Sequence, residues 1–139
     1  MYIAVYGTLM SGHCRAGALA PYADLVAPCR IHDTELYSVH DSFPALVEGT
    51  GTVQGELWRA RSHEDAVALL AMTDGIEGYR PFDEDNSMYL RRQVEAIIAD
   101  GEQEGDPVLA YVYVWNMSTA GMRRIVDGDW RGYRREEVA

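Results

Sequence analysis

Two stretches of this sequence set chemistry-bearing residues beside glycines. The first is VYGTLMSG, from Val5 to Gly12, where a strand-like run beginning at Tyr2 breaks at Gly7 into a small polar loop. Glycine-bearing turns after a first strand can present successive backbone N–H groups to an anion, and here the donors would be those of Gly7, Thr8 and Leu9. The competing reading is purely conformational, with Gly7 supplying a positive φ after the strand. The second stretch is DGIEGY, in which Glu77 stands between Gly75 and Gly78. Such a carboxylate either faces water in an ordinary polar turn, or the glycines let the backbone pass close to a ligand and set the carboxylate against it as an acid or base. Neither motif decides alone.

Composition narrows what either stretch can do. All 12 positive residues are arginine, so no lysine exists for a Schiff base or a Walker-type phosphate loop. A phosphate is therefore a poor guest for the turn, and a carboxylate or an oxyanion a better one. The formal net charge of −10 repels phosphodiester backbones, and no basic cluster offsets it, so no nucleic-acid partner is expected. The same field favours cationic small molecules. Cys14 and Cys29 show neither a CxxC nor a metal spacing, and each is expected as a reduced structural thiol. A Cys–His hydrolase built on His13 and Cys14 is set aside, because neighbours in sequence rarely face each other productively. His32, His40 and His63 are scattered without ligand spacing, so no metal site is expected. Apolar runs fall far short of a membrane span, and the N-terminus lacks a basic segment followed by an apolar one. The expectation is a cytoplasmic protein with no membrane partner.

Periodicity supplies the elements that must position the two stretches. Tyr2–Tyr6 reads as a short buried strand, and Gly12–Tyr22 as a short helix or irregular segment broken by Pro21. Asp24–His40 contains strand-like stretches. Asp41–Gly51, with Pro44 and two glycines, reads as a loop, and the alternation of GTVQGELWRAR predicts a strand after it. Ser62–Thr73 is the clearest helix, with Ser62 as N-cap, Asp65 three residues on, and Gly75 as its stop. The loop TDGIEGYRPFDEDNS follows. Tyr89–Ala99 and Val108–Trp115 form a hairpin around DGEQEGDP, the second strand being central because it is β-branched and aromatic. Ser118–Val126 is expected to form a short helix before a Trp- and Arg-bearing tail. The 139 residues make one α+β domain, spanning 1–139, of about six strands curled into a sheet or small barrel with two or three short helices.

Six pieces occur in an order that resembles the γ-glutamylcyclotransferase-like family, and in particular its γ-glutamylamine cyclotransferase branch. They are VYGTLMSG, FPALVEG, GTVQGELW, DGIEGY after a helix, MYLRRQVEA and AYVYVW, with GDWRGY near the end. The resemblance runs from Tyr2 to about Tyr133. It implies a small β-barrel with flanking helices and a cavity at its mouth. Carried over by position, Tyr6, Gly7, Thr8 and Leu9 form the substrate-binding turn and Glu77 is the catalytic acid/base. Tyr89 and Arg91 are supporting residues, and Asp74 ends the helix in a structural role. Two departures stand out: Ser42 replaces a glycine before Phe43 and Pro44, and FDEDN lengthens the loop after Glu77.

The implied reaction is an intramolecular aminolysis. The α-amino group of a γ-glutamyl compound attacks its own γ-carbonyl, releasing an amine and 5-oxoproline. The nucleophile belongs to the substrate, so no metal or cofactor is called for. The YGTL form of the turn, the GDW tail and the short length favour γ-glutamylamines over γ-glutamyl amino acids or a γ-glutamyl-protected amine of a biosynthetic pathway, and the acidic balance favours positively charged leaving groups. FDEDN is expected as a solvated loop, the rival role being a lid that recognises a cationic leaving group. The alternative function is a non-catalytic small-molecule binding protein on the same fold.

Overall fold

The computed structural model describes every residue except Ser11, Cys14 and Ala139, and only the backbone of residues 135–138. Six strands run β1 (Tyr2–Val5), β2 (Ala23–Val39), β3 (Phe43–Ala60), β4 (Tyr89–Ile98), β5 (Pro107–Trp115) and β6 (Arg123–Ile125). Two α-helices join them, α1 (His63–Glu77) and α2 (Trp130–Val138), with single 3-10 turns at Ala16–Ala18 and Glu84–Asn86.

The strands are ordered β3-β1-β5-β4-β2-β6, and pairing of β2 with β3 closes the first five into a barrel with β6 outside it. Only β1 and β5 run parallel, with Ile3 opposite Tyr111. Ile3, Ala4 and Val5 are all buried, as a strand paired on both sides inside a small barrel requires. Leu36, Leu46, Val53, Leu57, Ala96, Ala110 and Val112 fill the core around them.

β2 and β3 form one long hairpin that bends rather than staying flat. Register shifts at Leu25/Ala27 and around Thr34 mark bulges, and bulges sharpen the twist a closed barrel needs. The turn at its tip has His40 and Asp41 both at positive φ, with the Ser42 N–H donating to the Val39 carbonyl. That handedness suits the twist of the flanking strands.

Three expected elements are corrected. The stretch Asp41–Gly51 is not a loop: β3 begins at Phe43. Here β3 pairs with β2 alone, because β1 meets only the Glu56–Arg59 end. Pro44 lies on an edge where its missing N–H costs no ladder bond. The glycines fall at a bulge, where Thr34 faces both Glu48 and Gly51. Ser118–Val126 is not a helix. A turn closes from Thr119 to Met122, and β6 then pairs with Leu36–Ser38 of β2. Three residues are too few to carry a readable period. The tail is α2, docked by Trp130 and Tyr133, which are both buried and stack at 5.6 Å.

The third correction bears on the site. α1 does not stop at Gly75; it continues to Glu77, and the stop is Gly78 at φ 66°, where N–H groups of Gly78 and Tyr79 donate to the Asp74 carbonyl. Glycine inside a helix costs about 1 kcal/mol relative to alanine, which one anchored turn outweighs. A left-handed cap needs glycine far more than a helix needs to exclude it. At the other end Ser62 accepts from the Asp65 N–H at 3.0 Å, as its spacing predicts.

Candidate active site

Glu77 is thus the last residue of a helix rather than a residue of a loop, and its direction is set by what holds that last turn. Asp74, one turn earlier, accepts from the Tyr113 hydroxyl on β5 at 2.6 Å and from the Arg91 guanidinium on β4 at 2.7 Å. The guanidinium also stacks over the rings of Tyr79 and Tyr111. Thr73 Oγ1 lies 2.6 Å from the same Tyr113 hydroxyl. Two barrel strands therefore grip the end of α1 immediately before Glu77. This network includes one charge-assisted ion pair with both side chains mostly shielded from water, at 24% and 17% exposure.

The turn after β1 meets Glu77 across a cavity of about 100 Å³ that opens to solvent. Its lining includes Tyr6, Gly7, Thr8 and Leu9 from the turn, Ile76 and Glu77 from α1, and Phe43 and Pro44 from β3. Met88, Tyr89, Tyr113 and Arg15 also line it, with Ala4 and Val5 of β1. The structure brings six of the seven residues singled out in the sequence to this one cavity. Arg91 is not in the lining; it touches Asp74 and reaches Glu77 only through the helix. Arg15 and Tyr113 line the cavity without having been singled out. Tyr113 sits in AYVYVW, where a strand puts Tyr111 and Tyr113 on the same face, so the pattern does not single out either. Arg15 carried no sequence signal, lying in a segment of small residues.

Gly7 is not at positive φ. Its reason is contact: a Cβ there would lie 2.6 Å from Cγ and 2.8 Å from Cδ of Pro44. The Pro44 carbonyl in turn accepts from the Tyr89 hydroxyl at 2.6 Å, and the Tyr6 hydroxyl donates to the Tyr113 carbonyl. Turn, hairpin and both tyrosines are thereby locked together. Gly7→Ala is expected to destabilise the protein by about 1–3 kcal/mol, the usual cost of overpacking. Because Pro44 must yield and it lines the cavity, KM should rise as well. Urea denaturation and steady-state kinetics check the two effects separately.

The Gly7 carbonyl accepts from the Met10 N–H at 3.0 Å, closing a turn whose two central N–H groups, Thr8 and Leu9, take no part in the turn's own bond. The Thr8 carbonyl accepts from the Arg15 N–H at 2.9 Å, which fixes the start of Arg15 beside the turn. Outside the cavity, Arg131 of α2 pairs with buried Glu56 of β3 at 3.2 Å and its Nε points to His13 at 3.5 Å, so the loop after the turn is held from its far side too.

Electrostatics distinguish Glu77 from the other carboxylates. Burial pushes its carboxyl up from an ordinary 4.5 to about 7, against a smaller opposing pull from Arg15. Its place at the negative end of α1 acts in the same direction as burial. Tyr6 and Tyr89 are raised first by burial, with the Glu77 charge adding to each, so both remain neutral donors. Glu84 of the acidic run contrasts with this: its bonds to Arg92 and Tyr79 hold it below the usual range, and none of Phe82–Asn86 lines the cavity. Cys29 is buried and free, its thiol pushed up to about 12 by burial; Cys14 lies outside the described residues. Among the described residues no group of three or more His, Cys, Asp or Glu side chains could hold a metal ion, and no helix is long and apolar enough to cross a membrane.

The arrangement combines a carboxyl raised to about 7, the turn after β1 on the same cavity, and a wall of mainly apolar and phenolic groups with Arg15. That combination suits proton transfer on a small polar molecule. The fold has solved relatives. The uncharacterized protein PH0828 from Pyrococcus horikoshii matches with a TM-score of 0.67 and 25% identity, over 99% of this chain and 96% of that one. YtfP from Escherichia coli matches at 0.62 and 27%, over 96% and 98%. A γ-glutamyl cyclotransferase matches at 0.56 and 15%, over 89% and 69%, a likeness of fold alone. No curated protein matches the chain in sequence. The family profile described as gamma-glutamyl cyclotransferase, AIG2-like, matches residues 3–132. With that match spanning nearly the whole barrel and both walls of the cavity, the chain belongs to the AIG2-like γ-glutamyl cyclotransferase family.

Proposed function

We propose that the protein is a γ-glutamyl cyclotransferase that releases an amine and 5-oxoproline from a γ-glutamyl compound, with Glu77 as acid/base. The observation that carries this reading is a carboxyl titrating at about 7 on the wall of a cavity it shares with the Tyr6–Leu9 turn. A group poised there can both take and return a proton near neutrality.

The Glu77 carboxylate removes a proton from the substrate's α-ammonium group. The freed amine attacks the γ-carbonyl carbon, forming the ring C–N bond and a tetrahedral oxyanion. Collapse of that intermediate breaks the original amide bond as Glu77 returns its proton to the departing nitrogen, and the second proton of the ring nitrogen passes to the released amine, which leaves as an ammonium while the lactam is neutral. The Thr8 and Leu9 amides, with the Gly7 amide beside them, are donors for an anionic oxygen of the substrate, each contributing about 3 kcal/mol where charge develops. Holding the glutamyl chain folded for ring closure supplies the rest, since the reaction is unimolecular once the conformer is fixed. Tyr6 and Tyr89 wall the site as neutral groups, and Arg91 acts through Asp74 on the position of α1.

Incubating the protein with a panel of γ-glutamyl amino acids and γ-glutamylamines, with 5-oxoproline followed by mass, tests the reading. At least one member is expected to yield product. Tight binding of a panel member with no product from any would instead identify a binding protein.

A further inference from the structure

Only two of the described residues lining the cavity carry charge, Glu77 and Arg15, and they occupy different depths. Tyr6, Leu9, Pro44, Tyr89 and Tyr113 are buried and form the floor, whereas Arg15 and Met88 are exposed and form the rim. Resting on the cyclotransferase reading above, this layering orients the substrate. The α-amino group must reach Glu77, so the glutamyl half fills the enclosed part, and the leaving amine, which varies in size, projects toward the mouth.

We infer that Arg15 is a specificity-determining residue that pairs with a carboxylate on the leaving amine, so that the preferred substrates are γ-glutamyl amino acids rather than γ-glutamyl derivatives of simple or cationic amines. The Arg15 backbone N–H donates to the Thr8 carbonyl, which roots this residue beside the turn at the cavity. Arg15 lines the cavity, and its charge opposes the rise that burial gives Glu77. A cationic leaving group would meet this guanidinium and find no carboxylate at the rim to answer it, because the Phe82–Asn86 run is not part of the lining.

The overall charge of −10 pulls the other way and favours cations at long range. That field is screened beyond about 8 Å at physiological ionic strength. A guanidinium within hydrogen-bonding reach of the ligand acts inside that distance, so the local charge sets specificity and the global charge sets only the rate of approach.

The test compares γ-glutamylalanine with γ-glutamylethylamine, which differ by one carboxylate on the leaving group. The wild-type kcat/KM is expected to favour the dipeptide by about tenfold, the range of one charge-assisted hydrogen bond. Arg15→Gln should bring that ratio to about one, through KM. A ratio that survives the substitution, or a wild-type preference for the ethylamine, would overturn the inference. The same pair is titrated calorimetrically into Glu77→Gln protein with and without Arg15→Gln, a measurement that needs no turnover. Absence of 5-oxoproline from both compounds strikes at the catalytic reading, whereas equal affinity for the two in Arg15-containing protein strikes at Arg15.

Discussion

Glu77→Gln is expected to lower kcat on a confirmed γ-glutamyl substrate by about a thousandfold or more while the protein stays folded. General acid–base catalysis typically contributes 10²–10⁴-fold for one transfer, and here one carboxyl serves two. Glutamine keeps the shape and can accept a hydrogen bond, but it takes no proton from an ammonium group and returns none to a leaving nitrogen. Ground-state contacts from the Tyr6–Leu9 turn persist, so KM should move much less than kcat. In the wild type, kcat/KM should climb with pH through an acidic limb centred near 7, where the carboxyl ionises. The variant should have lost that limb. Near wild-type turnover in the variant would remove Glu77 from the mechanism.

The same carboxyl is expected to make the wild type less stable as pH rises, and Glu77→Gln to remove that trend. The folded protein holds the Glu77 proton up to about 7, whereas the unfolded chain releases it near 4.5. Between those values the native state binds more protons, so stability falls with increasing pH. The contribution is fully present below pH 4.5, declines across the interval, and is gone above about 7. The difference is about 3 kcal/mol. Comparing the two proteins at pH 4 and pH 8 isolates it, since every other group titrates alike in both. The stability of the variant relative to wild type should increase by about 3 kcal/mol between the two pH values, or roughly 6–12 °C in Tm. A constant difference across that range would mean that Glu77 is not held in a desolvated place. Function and cost are thus linked: the burial that tunes the proton shuttle weakens the fold at working pH.

Much of this was legible locally. The break of an apolar run at Gly7, the N-cap at Ser62 and the alternation in the second half of β3 are short-range signals, and the elements follow them closely. Glycine was the recurring ambiguity. Gly75 looks like a helix stop and is an interior residue, because Gly78 meets the left-handed requirement three positions later. Gly7 suggests a positive φ and instead makes room for Pro44, a residue thirty-seven positions away that no local pattern connects to it. The Asp41–Gly51 segment reads as a loop yet forms a strand, because proline and glycine weigh against a strand only when both its edges must pair. Arg15 is the extreme case: its significance lies wholly in which side chains share its cavity, and that is decided by closure of the barrel.

The pairing of β1 with β5 has a consequence for how the protein is made. Tyr6 bonds to a residue 107 positions further along the chain, and β1 has its parallel neighbour there as well. At synthesis rates of about 5–20 residues per second, the first strand leaves the ribosome roughly 5–20 seconds before the strand that completes its burial. Through that interval an apolar strand with an unpaired edge must be shielded by β3 alone or by a chaperone. The cavity, whose floor includes both Tyr6 and Tyr113, cannot exist in any shorter nascent chain. Competence to bind substrate therefore arrives late in translation, as a single event with closure of the barrel.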